Sequence, residues 1–213
     1  MQLKLKDFIE IEFTGKTKEG EIFDSNIDED LKKINQNLPA KPLIFCLGEG
    51  MFLKGIEDFL IDKSIGRYEI ELEPDKAFGK RNTKLIMVIP MKVFREKEIN
   101  PIPGARFNFD GSPAKILTVS GGRVIVDFNN PLAGKTVLYK INVLRKVEDK
   151  TEQINAFNDF LFKKQIKFEI ENNKLILEVE KSISKFVEVF KNKYKELFGL
   201  DLGVREVEEK PAV

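Results

Sequence analysis

The sequence predicts an α+β protein, on three observations. Residues 8–90 carry short runs in which apolar and charged residues alternate, with one brief stretch of helical spacing between them. Residues 90–131 hold prolines at 101, 103, 113 and 131 and turn signals at 110–113 and 121–122, the texture of a small all-β piece. Residues 151–213 switch to two stretches of helical spacing around a pair of strands, in the order α-β-β-α-β.

The elements follow in order. In Phe8–Phe13 the residues Ile9, Ile11 and Phe13 alternate with Glu10 and Glu12, the period of a half-buried strand. Thr17–Gly20 turns the chain and Glu21–Phe23 resumes it, so residues 8–24 read as a hairpin. Residues 25–41 are polar, with a short helix at 28–36. Pro42–Leu47 is an apolar strand closed by Gly48-Glu49-Gly50, and Ile56, Phe59 and Leu60 give residues 56–62 helical spacing. Arg67–Glu73 alternates again, with Tyr68, Ile70 and Leu72 on one face. Residues 85–90 are a continuous apolar strand ending in proline. Short strands are expected at 106–109, 114–119 and 123–128, and a longer one at 136–147. Thr151–Lys164 is helical by spacing, and the strands Ile166–Ile170 and Leu175–Val179 bracket Asn172-Asn173, a pair suited to a hairpin turn. Ser182 is read as the N-cap of one helix over 183–198, stopped by Gly199, and Val204–Val207 as a last strand.

Composition removes several chemistries. The 213 residues include no histidine and one cysteine, Cys46. A histidine base, triad or zinc ligand is excluded within the chain, and so are an intramolecular disulfide and a Cys-rich metal cluster. Ser–Lys, carboxylate and backbone-only mechanisms remain open. Thirty-six basic against thirty-five acidic residues give a formal charge of +1, which argues against a nucleic-acid binder. No run approaches the ~18 apolar residues of a membrane helix, and the charged, alternating N-terminus is not that of a signal peptide. A cytoplasmic protein is expected, without membrane or nucleic-acid partners.

Three stretches carry the chemistry. They are Phe13-Thr14-Gly15 followed by Ile22-Phe23-Asp24-Ser25; Pro42 to Glu57, with Phe45, Gly48, Gly50 and Gly55; and Glu73 to Gly79, with Ala77-Phe78-Gly79. Taken singly, the aromatics would be core, the glycines turns and Asp24 an end-of-strand residue. Gly48-Glu49-Gly50 lacks the spacing of a phosphate loop. Taken together, their order and spacing resemble the FKBP family of peptidyl-prolyl cis/trans isomerases. That family shows a Y/F-T-G strand, F-D-S, P-x-x-F-x-x-G, a G-x-E at the head of a short helix, and an A-Y/F-G loop. The stretch Asp127-Phe128-Asn129-Asn130-Pro131-Leu132-Ala133-Gly134-Lys135 is similar to the segment that closes the insert-in-flap domain of SlyD-type members. The tail resembles that of long-type archaeal FKBPs.

The resemblance implies a bent antiparallel β-sheet around a short helix. It divides the chain into an isomerase domain (1–90 with 129–149), a small all-β insert-in-flap chaperone domain (91–128) and a C-terminal α-β-β-α-β domain (150–213). Carried over residue by residue, it places Phe13, Asp24, Phe78 and the backbone amide of Leu53 in catalysis, the amide as donor to the substrate carbonyl. It puts Phe23, Leu43, Phe45, Phe52, Ile56 and Tyr139 in a shallow apolar pocket. The pocket floor is Ile56 where small members often have Trp, and Phe13 and Phe78 stand where hydroxyl-bearing Tyr is frequent, so macrolide affinity is expected to suffer more than catalysis. Amide rotation breaks resonance, and the twisted bond is less polar than the planar amide, so an apolar pocket favours the transition state without cofactor, metal or proton shuttle. Asp24 is then an electrostatic contributor, and activity is expected to be nearly flat between about pH 6 and 8, where no unperturbed side chain of this chain titrates.

The insert is expected to capture unfolded chains through Val93, Phe94, Ile99 and Ile102, raising substrate concentration at the pocket. The alternative is a non-catalytic holdase using the same surfaces. The Phe-rich tail helices suggest a homodimer. Lys191, Lys193 and Lys195 raise a nucleic-acid reading, but no GxxG loop accompanies them and the local charge is balanced, so they read as a solvated helix face. The end, Glu206 to Val213, lacks the His/Cys-rich nickel-binding tail common in bacterial SlyD proteins, and no metal role is carried over.

Overall fold

A computed structural model describes residues 2–34 and 39–208. The far end of the helix expected at 28–36, and the last five residues of the tail that was read against a metal site, lie outside the described residues. In chain order the elements begin β1 (Phe8–Thr17), β2 (Ile22–Ser25), α1 (Asp28–Lys33), β3 (Leu43–Cys46), α2 (Lys54–Leu60) and β4 (Gly66–Leu72). They continue β5 (Ile86–Pro90), α3 (Met91–Glu96), β6 (Arg106–Phe109), β7 (Ser112–Ser120), β8 (Arg123–Asp127) and β9 (Val137–Lys146). The chain closes with α4 (Lys150–Phe162), β10 (Phe168–Glu171), β11 (Lys174–Glu180), α5 (Lys181–Glu188), α6 (Lys191–Phe198) and β12 (Asp201–Val207).

The chain divides into two compact units. The first takes residues up to Gly15, Ile22–Ile70 and everything from Tyr139. Its sheet runs β2-β1-β9-β4, and β3 also pairs antiparallel with β1, Ile9 opposite Phe45 and Ile11 opposite Leu43. The alternation read in the sequence sets the faces: Ile9, Ile11, Phe13 and Ile70 are buried while the intervening glutamates stay wetter.

The tail does not form a core of its own. Ile154, Phe157, Leu175, Leu177, Val187, Tyr194, Phe198 and Leu202 pack into one cluster that takes in Phe8 and Cys46 of β1 and β3. The rings of Phe8 and Phe198 stand 5.7 Å apart. The tail sheet runs β10-β11-β12, with β10 and β11 antiparallel and β11 and β12 parallel. Asn172 and Asn173 hold φ of 47° and 64°, the mirror-image turn a tight hairpin prefers. The single helix expected over 183–198 is two. Val189 and Phe190 donate their N–H groups to the carbonyls of Phe186 and Val187, a tight joint between α5 and α6. Val187, Tyr194 and Phe198 keep their spacing across the joint and all stay buried, so apolar periodicity could not reveal it. Ser182 lies inside α5, whose N-cap position is Glu180. Gly199, at φ 70°, ends α6 as expected.

The second unit comprises Lys16–Glu21 and Glu71–Leu138. Its four-stranded antiparallel sheet runs β5-β8-β7-β6. Strand β5 pairs with β8 from Ile86↔Asp127 to Pro90↔Arg123, so the insert's sheet begins ahead of residue 91. Phe94, Ile116, Val124 and Val126 form its core, with Phe107 and Phe109 packed on it. This corrects one expectation: Phe94 is fully buried, its ring 5.8 and 5.7 Å from those of Phe107 and Phe109, and offers no surface. A small domain with few large residues needs its central aromatic inside. Ile99 is partly buried against the same core and Val93 is half-buried, whereas Ile102 is 56% exposed. Met87 and Val88 on β5, which sequence reading assigned elsewhere, are 51% and 60% exposed.

Candidate functional site

Five aromatic rings converge in the first unit. Phe52, just before α2, lies 4.9 Å from Phe13 of β1, 5.5 Å from Phe45 of β3 and 5.9 Å from Tyr139 of β9, edge-on to the last. Phe23 of β2 meets Tyr139 edge-to-face at 5.8 Å. Ile56, the first apolar residue of α2, is fully buried, and Leu43 is half-buried. Gly15 permits this approach. A Cβ there would sit 2.9 Å from the Phe23 ring and 3.0 Å from that of Tyr139, closer than real contacts allow.

A buried carboxylate fixes the loop that presents Phe52. Glu57 is 2% exposed; its Oε2 accepts the N–H groups of Gly48 and Gly50, and its Oε1 that of Phe52 at 2.7 Å. Leu53 is the N-cap of α2, and its carbonyl accepts from Ile56 and Glu57. Its own N–H has no acceptor among the described residues, so it is available to a carbonyl from outside. The sequence showed Glu57 only as the last letter of G-x-E; a lone acid behind two glycines was the signal for a loop-holding role.

The Phe23-Asp24 pair is held by its neighbours. Ser25 Oγ donates to the Phe13 carbonyl at 2.9 Å, Asn26 Oδ1 accepts the Phe13 N–H at 2.7 Å, and Asn26 Nδ2 donates to the Ile11 carbonyl. Asn26 thus stands in for a strand partner where β2 ends, a role sequence reading missed. Asp24 is half-buried, and burial raises its pKa above the ordinary carboxylate value while the Ser25 N–H partly offsets that. Burial, with Asp24 nearby, also raises Tyr139. Cys46 is buried and its thiol is pushed up to about 12, by burial first and then by Glu49, Glu57 and Asp7, so it stays protonated and inert. Among the described residues no group of three or more His, Cys, Asp or Glu could hold a metal ion, and no helix is long and apolar enough to cross a membrane.

The arrangement is a packed aromatic cluster beside a half-buried carboxylate, Asp24, and a backbone donor, the Leu53 N–H, that has no acceptor among the described residues. Residues 1–101 match the model of the FKBP-type peptidyl-prolyl cis-trans isomerases, and residues 87–132 that of the FKBP26 IF domain. The short-type peptidyl-prolyl cis-trans isomerase of Methanocaldococcus jannaschii is 30% identical over 145 residues, 66% of this chain and 92% of that protein. The chain belongs to the FKBP-type peptidyl-prolyl cis-trans isomerases. The FKBP-type 16 kDa isomerase of Escherichia coli is 38% identical over 111 residues, covering 49% of this chain and 74% of that one. A structure of the three FKBP domains of wheat FKBP73 has a TM-score of 0.37 and 16% identity, over 70% of this chain and 42% of that one.

In FKBP terms, nine of the ten expected pocket and catalytic residues lie in the first unit. Phe78, half-buried after the turn at Pro74–Lys76, belongs to the second. The insert-closing segment of this FKBP has a visible task. Asn129 accepts the Asn82 N–H at 2.8 Å, donates to the Asn82 carbonyl and to Asp127, and so ties the chain entering the insert to the chain leaving it. Neither family model reaches past residue 132 into the tail. A groove of about 630 Å³ runs beside the aromatic cluster, lined by Leu43, Ile44 and Phe45 of β3 and by Asn155, Ala156 and Phe160 of α4.

Proposed function

We propose that this isomerase turns prolyl peptide bonds in the aromatic recess and uses its insert to hold unfolded, proline-containing polypeptides nearby. The reading is carried by the Leu53 N–H, which has no acceptor among the described residues and directly follows Phe52, whose own N–H is held by Glu57. The N–H would donate to the substrate carbonyl, with Phe13, Phe23, Leu43, Phe45, Phe52, Ile56 and Tyr139 walling the proline. An apolar wall disfavours the planar, polar amide more than the twisted one, which is differential stabilisation of the transition state. Asp24 would act on the rotating carbonyl electrostatically. For Phe78 the role rests on the family's A-F-G pattern.

The insert's part is supported by surface rather than by Phe94. Ile102, Met87 and Val88 are exposed, and β5 is an apolar edge strand that, among the described residues, pairs on one side with β8 alone. Such an edge accepts an added strand. Because β5 is in that sheet, excision should span 86–127, bridged by a short glycine-rich link. The expected result in a protease-coupled proline-peptide assay is turnover within about two-fold of the full chain. Catalysed refolding of a proline-limited protein should fall by about ten-fold or more, the loss of local concentration. Equal loss in both assays would reject this division of labour.

A homodimer through the tail is part of the proposal. Phe186 and Val189 on the α5–α6 joint are 52% and 74% exposed, and Phe186 meets Phe190 edge-to-face at 5.2 Å. Light scattering is expected to give twice the chain mass, and Val189→Lys to reduce it to the monomer; a monomer at all concentrations rejects the dimer.

A further inference from the structure

The insert's sheet carries a groove of about 300 Å³ along β6 and β7. Four cations line it, Arg81, Arg106, Lys115 and Lys135, against one carboxylate, Asp127. That carboxylate is already engaged. Arg81 pairs with it, and Asn129 donates both its backbone and side-chain N–H groups to it. Burial raises the Asp127 pKa, but the Asn129 and Arg81 bonds outweigh this and hold it low, so it stays charged and occupied. Arg106 and Lys115 make no ion pair among the described residues, and Lys135 exerts only a weak pull on exposed Glu19.

Arg106 and Lys115 are also direct cross-strand partners on β6 and β7. Like charges placed opposite one another on an antiparallel pair repel. On its other side Lys115 faces Asp127 across β7 and β8, but that carboxylate is bonded to Arg81 and Asn129, so the two cations share one engaged acid and an incoming anion would relieve their repulsion. The whole chain carries only +1, so the local excess does not follow from a generally basic surface.

Beside the cations the groove has apolar lining from Phe107, Pro113, Leu117 and Pro131, with Asn129 and Asn130 adding polar groups. Nucleic-acid backbones call for a stripe of cations and free stacking faces. Here the Phe107 ring is engaged with Phe94 and Phe109. Cations beside aliphatic surface suit a peptide in which Asp or Glu neighbours an apolar residue. Among the described residues β6 pairs with β7 alone, so its outer edge can receive such a peptide as an added strand. We infer that this groove binds acidic–apolar segments of extended polypeptides. The inference rests on the insert's proposed role with unfolded chains and gives that role a charge preference.

The test uses the full chain and three fluorescein-labelled, proline-free 12-residue peptides. They share their Leu and Phe residues and differ only in carrying Glu, Gln or Lys at the remaining charged positions. Fluorescence polarisation is expected to show the Glu peptide binding at least ten-fold tighter than the Lys peptide at low salt, with the margin shrinking at 0.3 M salt. Arg106→Gln with Lys115→Gln should cut the Glu-over-Lys preference at least five-fold. Gln-peptide affinity and proline-tetrapeptide turnover should stay within two-fold, the latter reporting an intact fold. Arg106→Glu with Lys115→Glu should reverse the preference. Equal affinity for all three peptides overturns the charge preference while leaving the insert's chaperone role standing; no binding of any peptide removes both. Displacement of the Glu peptide by a single-stranded RNA at lower concentration than by unlabelled Glu peptide would reassign the groove to nucleic acid.

Discussion

Glu57→Ala is expected to cost about 3 kcal/mol of folding stability, because each hydrogen bond to a charged group contributes roughly 1.5–3 kcal/mol and the donors it leaves are partly rescued by water. Three backbone N–H groups, those of Gly48, Gly50 and Phe52, lose their acceptor at once. Denaturant midpoints measure this, with the slope unchanged if only the native state is affected. Glu57→Gln should recover less than half the loss, since its NH₂ would face donors where a second oxygen had accepted. Under conditions where the variant remains folded, kcat/KM on short proline peptides should fall about ten-fold or more, as Phe52 and the Leu53 N–H lose their fixed places. A cost under about 1 kcal/mol, or unaltered turnover, would mean that the loop is held by something other than this carboxylate.

Asp24→Ala is expected to lower isomerase turnover by about ten-fold, some 1.4 kcal/mol of barrier, without loss of stability. The direction of the second half follows from linkage. Folding raises the Asp24 pKa, so the ionised carboxylate opposes folding above its unfolded value. That opposition eases as pH falls through the raised native value and the group takes up a proton. The variant should therefore be as stable as the parent or more so at pH 7, and the difference should vanish in acid. Wild-type activity should stay level between about pH 6 and 8 and decline on the acid side as Asp24 protonates; Asp24→Asn should be low throughout and lack that acid limb. Wild-type-like turnover in Asp24→Ala would remove the assigned role, and a bell centred near neutrality would show a titrating group not accounted for by this recess.

Local signals in the chain were read correctly where they were local. Ile9, Ile11 and Phe13 announced β1 through their period, Asn172-Asn173 their turn, and Gly199 the end of α6. Residues 86–90 were seen as a strand but given to the wrong sheet. A run buried or exposed without alternation does not say which partner it will find, and the β5–β8 pairing joins residues about forty positions apart. Phe94 was placed on the surface as one of several apolar residues in a segment read as all-β, and neither composition nor resemblance tells a core side chain from an exposed one; it lies on α3, a short helix that reading did not include. The aromatic cluster was legible because its members sit in short stretches of fixed spacing. What holds them, Glu57 and Asn26, was not, since both act through backbone groups whose positions only the fold supplies. The tail's two helices were seen as one because the buried residues keep their rhythm through the joint.

The core shared between the tail and β1 and β3 has a consequence during synthesis. Phe8 and Cys46 emerge from the ribosome early, but their partners run from Ile154 to Leu202. At roughly 5–20 residues per second, the chain from Val147 to Leu202 takes on the order of 3–10 s to appear. For that interval the outer side of β1 and β3 faces water with its apolar residues uncovered. The last-made helices end the exposure, so the N-terminal strands wait uncovered until the tail is made.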